Sequence, residues 1–207
     1  MGRKIVLLVI IVLQTLVVGA QETANERQAR RIFNQAYNQV FGEQGASLHY
    51  DVNIAGVYRT QGDIIYKGKK QKFVDERANV WSDGVTTYMA YRKKKEVHIH
   101  AANSDKKDKY SGKFKFELDD FNYNIADDGD NFLLTLTQKK KAKGTVKTVK
   151  AWVTKNGYTP VRLRLKVAFL WATIKVSNFK TGNIGDDIFV FPRNQYKDWT
   201  YIDKRND

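Results

Sequence analysis

The chain has 207 residues, with 36 Lys or Arg against 22 Asp or Glu for a formal charge of +14, and it has no cysteine. The missing cysteine excludes a disulfide scaffold, a thiolate metal site and a thiol nucleophile. With 42% apolar and 13% aromatic residues, the chain can bury one core of ordinary domain size, and the surplus of cations points towards anionic surfaces.

The first twenty residues read as an address. Arg3 and Lys4 precede an apolar run from Ile5 to Leu13, which resumes after Gln14 and Thr15 and reaches Val18. Val18-Gly19-Ala20 then offers small residues for cleavage before Gln21. A basic start, a short apolar centre and a small-x-small exit make a signal peptide, and the run is short for a ~30 Å hydrocarbon core. No cysteine follows it to carry a lipid. The expectation is a signal peptide over 1–20 and one exported domain over 21–207, periplasmic and monomeric. Cleavage removes two cations and leaves +12. An exported protein seldom meets nucleic acid, so anionic lipid or lipopolysaccharide is the better electrostatic partner. The plainer alternative is that lysines coat solvent faces of strands.

Downstream, Thr23-x-x-Glu26 resembles a capping box, and Ala29, Ile32, Phe33, Ala36, Tyr37, Val40 and Phe41 follow at helical spacing up to Gly42. This predicts an amphipathic helix with one face for a sheet. Leu48, Tyr50, Val52 and Ile54 alternate with polar residues, which predicts a strand. Further strands are expected at 63–67, 71–75, Ala78–Ser82, Thr86–Tyr91, Glu96–Ala101, Asn131–Gln138, 145–154, 161–167, 172–178 and 187–191. Asp83-Gly84 and Asn156-Gly157 mark tight hairpins between them. Residues 127–130 read as a turn between Tyr123 and Phe132. The charged segment 103–120 admits a strand, a short lid helix or a loop. The fold class is therefore α+β: a single curved antiparallel sheet with an N-terminal amphipathic helix.

Catalytic patterns are sparse. His98-x-His100 has a spacing found in metal sites, but no third ligand is indicated, and solvent-facing histidines on an edge strand explain it better. No G-x-S-x-G and no phosphate-cradling loop occur. The reading is non-enzymatic, with no cofactor and no metal. The aromatics say more. One curved sheet with a helix or two leaves an apolar concavity that must be lidded, collapsed or occupied. Candidate residues for lining it are Phe33, Tyr37 and Phe41 on the helix, and Leu48, Tyr50, Val52, Trp81, Trp152, Leu163, Leu165, Trp171 and Phe189 in strands. Strand parity alone does not settle which face each Trp takes.

A resemblance sharpens this. Gly62-Asp63-Ile64-Ile65-Tyr66-Lys67-Gly68, then Val80-Trp81-Ser82-Asp83-Gly84, Tyr91 and Glu96-Val97, resembles the pattern of LolA-type outer-membrane lipoprotein carriers. Asn178-Phe179, Ile188-Phe189-Val190-Phe191 and Tyr201-Ile202-Asp203-Lys204-Arg205 are similar to that family's tail. The resemblance spans Gly62 to Arg205. It implies an unclosed β-barrel over helices, and a cavity that shelters lipoprotein acyl chains or another lipid. It also implies an inner-membrane release complex and an outer-membrane acceptor as partners. The chain departs from the family in two ways: Lys69, Lys70 and Lys72 stand where an early-strand Arg is usual, and 103–120 has no proline. The alternative is a basic envelope protein that docks on anionic lipid or a partner and has no lipid cavity.

Overall fold

The computed structural model describes residues 22–104 and 117–206. The proposed signal peptide and most of segment 103–120 lie outside these residues.

Helix α1 runs over Ala24–Phe41. The Glu26 amide donates to the Thr23 hydroxyl at 3.1 Å, and the Thr23 amide donates to the Glu26 carboxylate at 2.8 Å. Two otherwise unpaired amides of the first turn are thereby satisfied. The helix stops at Gly42, whose amide donates to the Asn38 carbonyl. A Cβ at position 42 would lie 2.3 Å from that oxygen, so glycine is required here for close approach.

The strands are β1 (Ala46–Ile54), β2 (Tyr58–Lys67), β3 (Lys70–Asp75), β4 (Ala78–Ser82), β5 (Thr86–Tyr91) and β6 (Glu96–Ala101), then β7 (Phe121–Asp128), β8 (Asn131–Gln138), β9 (Val146–Thr154), β10 (Pro160–Val167), β11 (Leu170–Thr181) and β12 (Thr200–Asp203). Among the described residues they form one twelve-stranded sheet in the order β12-β6-β5-β4-β3-β2-β1-β11-β10-β9-β8-β7. Two meanders are joined where β1 pairs antiparallel with β11, Tyr50 opposite Val176 and Ile54 opposite Ala172. The sheet ends on β7 and β12, which do not pair with each other, so it is a curved, unclosed barrel.

Four expectations change. Residues 187–191 are not a strand: Asp186–Phe189 is a 3₁₀ turn. β7 replaces what was read as a turn, because Phe121, Tyr123 and Ile125 alternate inward along it and the turn itself shrinks to Gly129-Asp130. The meander is not wholly antiparallel, since β12 returns to lie parallel to β6. His98 and His100 therefore do not sit on an edge; His100 is 3% exposed, and His98 pairs with Glu96 at 2.9 Å.

One core lies between the first half of α1 and β7–β11, with Ile32, Phe121, Leu134, Leu136 and Val149 fully buried. A second, smaller one packs Trp81, Ala90 and Val97 under Tyr196 from the C-terminal segment.

Candidate functional site

The first half of α1 is packed down, but the second half roofs a space. Ring contacts run along the helix from the core outwards. Phe33 sits edge-on to Tyr123 at 5.9 Å and stacks towards Tyr37 at 6.4 Å; Tyr37 meets Phe41 at 4.7 Å, and Phe41 meets Tyr66 of β2 at 4.7 Å. Beneath this ladder is an apolar cavity of about 600 Å³. Its floor is the inward row of the central strands: Leu48, Tyr50 and Val52 of β1, Ile64 and Tyr66 of β2, Phe73 of β3, and Ile174 and Val176 of β11. The ladder register explains the selection. Leu48 is opposite Ile64, which is opposite Phe73, while Val52 is opposite Ile174, which is opposite Leu163.

The wall is interrupted on one side. β10 begins at Pro160, and its pairing with β11 goes no further than Arg162 opposite Lys175, whereas β11 continues to Thr181 against β1 alone. Pro160, Arg162, Trp152 and Val176 border the cavity at this break. A second depression, lined by polar residues including His49, Asp51 and Lys175, lies across the same break and shares Trp152, Arg162 and Val176. Arg162 places its guanidinium 3.7 Å from the Trp152 ring centroid, and the indole donates to Asp128 at 2.5 Å. Cation–π contact and the ionic hydrogen bond hold the indole at the gap.

The candidate residues divide accordingly. Phe33, Tyr37, Phe41, Leu48, Tyr50, Val52, Trp152 and Leu163 border the cavity. The other four do not. Trp81 is on the opposite face: it is paired with Lys72 and Tyr88, while its neighbour Val80 is paired with Phe73. Trp171 also faces away, with Arg164 4.6 Å and Lys166 5.9 Å from its ring. Phe189 is buried in the 3₁₀ turn beside β3. Leu165 points inward but is sealed into the main core. Parity within one strand does not choose a face; the register with neighbours does. Ile64, Phe73, Ile174 and Val176 were absent from the candidates for the same reason.

Apart from Arg162 at the break, the lining is short of polar groups, and its Tyr50 and Tyr66 phenols stay neutral. Burial pushes the Tyr66 phenol up to about 12, with Tyr37 adding to it. Tyr50 is pushed higher still by burial and by nearby Asp75. Tyr50 is 8% exposed and stacks on Phe73 at 5.5 Å, and its hydroxyl has no hydrogen-bond partner among the described residues. A Cβ at Gly62 would come within 2.6 Å of that oxygen, so the glycine keeps room for it. At neutral pH the cavity therefore offers apolar surface, the Arg162 cation at its break and the Tyr50 phenol donor, unpaired among the described residues. Among the described residues no cluster of three or more His, Cys, Asp or Glu is placed to hold a metal.

No family model matches the chain, and no curated protein matches it significantly. The fold is found in an uncharacterized conserved protein from Thermus thermophilus, at 9% identity and a TM-score of 0.59, covering 86% of this chain and 99% of that one. Similar solved structures also include the LolA superfamily protein NE2245 from Nitrosomonas europaea, at 11% identity and TM-score 0.39, covering 79% and 97% of the two chains. Another is the lipoprotein LppX from Mycobacterium tuberculosis, at 12% identity and TM-score 0.41, covering 77% and 98%. These last two agree more loosely.

Proposed function

We propose that the protein is an exported, monomeric carrier that shelters the acyl chains of a lipid or lipoprotein in the cavity beneath α1 on the way to the outer membrane. The observation that carries this reading is the cavity itself. Its volume of about 600 Å³ falls within the roughly 300–1,000 Å³ of small-molecule sites, yet its lining is almost entirely apolar. An acyl chain needs only such a surface. Roughly sixteen carbons at about 0.8 kcal/mol per buried CH₂ gain on the order of 12 kcal/mol before the cost of immobilisation is subtracted. The LolA-like sequence pattern and the signal-peptide-like start agree with this role. The test is titration of a fluorescent acyl probe into purified protein. Saturable binding that a lipopeptide displaces and a free headgroup does not is the expected result; absence of saturable binding to delipidated protein overturns it.

A further inference from the structure

The turns at the two ends of the strands are chemically different. Because neighbours alternate in direction, the β1–β2, β3–β4, β5–β6, β8–β9 and β10–β11 turns all leave from one end of the sheet. At the centre of that end two hairpin tips stand side by side, joined by a hydrogen bond from the Ala55 amide to the Trp171 carbonyl at 3.0 Å. Both carry apolar side chains into solvent: Val57 is 90% exposed and Phe169 83%, with Leu170 beside them at 42%. A two-residue hairpin normally takes Gly, Asn or Asp at its tip. Here the tip is Ala168-Phe169, and Ala168 has a φ of +53°, a conformation disfavoured for a residue with a Cβ. An exposed phenylalanine on a turn that breaks local rules is where a contact surface is to be sought.

The charges around the tips identify the partner. On one side the β8–β9 turn presents exposed Lys139, Lys140, Lys141 and Lys143, with exposed Glu117 and Asp119 in the segment that Lys139 hydrogen-bonds. On the other, beyond the β3–β4 turn with exposed Glu76 and Arg77, the β5–β6 turn presents exposed Arg92, Lys93, Lys94 and Lys95. No turn at the opposite end carries a run of cations: the β2–β3, β4–β5, β7–β8 and β9–β10 turns hold Lys69, Asp83, Asp130 and Lys155 singly. Protruding apolar side chains between two clusters of cations match the interfacial layer of an anionic bilayer, where apolar groups enter the acyl boundary and lysines stay with headgroups.

We infer that the paired β1–β2 and β10–β11 tips form a docking site for an anionic phospholipid membrane, with Val57 and Phe169 inserted and the flanking lysine turns at headgroup level. The site is separate from the cavity break, which lies towards the β9–β10 turn, so docking can be tested apart from the carrier reading. Purified protein and its Val57→Asp/Phe169→Asp, Lys93→Gln/Lys94→Gln/Lys140→Gln/Lys141→Gln and Val85→Asp variants would be co-sedimented with phosphatidylglycerol–phosphatidylcholine and with pure phosphatidylcholine vesicles. Val85, 77% exposed in the β4–β5 turn at the opposite end, is the control. Partition onto the anionic vesicles is expected to fall roughly tenfold or more in the tip variant, and to weaken in the lysine variant and with rising salt. Val85→Asp should bind as the unaltered protein does. Separately, a Phe169→Trp variant should gain emission that brominated acyl chains quench, a readout that needs no loss of binding. Lack of binding at low salt, equal binding by the tip variant, equal loss in Val85→Asp, or unquenched added emission in Phe169→Trp overturns the inference. The acyl probe should still titrate the tip variant normally. Its failure there would count against the cavity reading and leave docking to be decided by the vesicles.

Discussion

Phe33 and Phe41 lie two turns apart on one face of α1, yet they do different work. Phe33 is 8% exposed and belongs to the packed core, whereas Phe41 is 37% exposed over the cavity although its ring touches Tyr66. Phe33→Ala should therefore lower stability by about 3–5 kcal/mol, as for core aromatics. Phe41→Ala should cost clearly less, while weakening acyl-probe binding several-fold. Urea denaturation beside probe titration separates the two; equal destabilisation by both variants would mean that the helix is packed along its whole length. Tyr50 supplies a second test. Its hydroxyl is buried without a partner among the described residues, and removing a buried unsatisfied donor is neutral or stabilising. Tyr50→Phe should keep or raise the urea midpoint. If the phenol donates to an ester or amide carbonyl at the head of a bound chain, the same variant should bind a lipopeptide more weakly and a plain hydrocarbon probe equally well. Lower stability in Tyr50→Phe would argue against the first expectation, and unchanged lipopeptide binding against the second.

Among the elements, the C-terminal segment is fastened by charge. Lys67 and Lys70 contact the Asp186 carboxylate at 2.8 and 2.9 Å, and Lys67 also donates to the Ile184 carbonyl. Hydrogen bonds from these two lysines hold the Asp186 carboxyl at about 2, below its ordinary value. A carboxyl depressed in the folded state stabilises above its unfolded pKa, and that contribution is lost as pH falls through the folded one. Stability should thus decline as pH drops from about 4 towards about 2, and Asp186→Asn should flatten part of this slope. Urea midpoints across that window check it; identical slopes would show that the pairs are screened out by solvent. Asp203, held by Arg205 at about 2, contributes in the same window. Sequence periodicity reached the elements whose signals are local. Thr23 and Glu26 announced the helix, Asp83-Gly84 and Asn156-Gly157 the hairpins, and β4, β5, β6 and β8 begin and end where alternation placed them. It missed what depends on distant partners. β7 is the exception, since its partner β8 is next in the chain: there Asp127, Asp128 and Asp130 disguised the alternation of Phe121, Tyr123 and Ile125 as a turn. Ile188-Phe189 looked strand-like but has no ladder to join. The helix side of the cavity was legible from its periodicity, but Ile64 and Phe73 become lining only once β2 and β3 are set in register with Leu48.

At the scale of the whole molecule, the question is how a folded domain keeps so much apolar space. Residual cavities cost about 24 cal/mol per Å³ in core-truncation series. An enclosed dry void of 600 Å³ would on that basis cost on the order of 14 kcal/mol, about the full stability of a typical domain at 5–15 kcal/mol. The space is therefore not sealed: it opens at the break beyond Pro160 and past half-exposed Tyr37 and Phe41. The unclosed strand order makes this architecture workable, because among the described residues β7 and β12 end the sheet without pairing with each other, and the curvature is not fixed by closure. A filling substitution distinguishes an open cavity from one that collapses in solution. Ile174 lies on the floor, opposite Val52 and Leu163. Ile174→Trp would overpack a collapsed core and cost about 1–3 kcal/mol. In an open cavity the indole covers apolar surface that water or a lipid otherwise occupies, so the urea midpoint should hold or rise while acyl-probe binding drops by roughly tenfold or more, as lost burial of only a few methylenes suffices for that. A stable Ile174→Trp protein that still binds the probe at full affinity would place the acyl site elsewhere on the molecule.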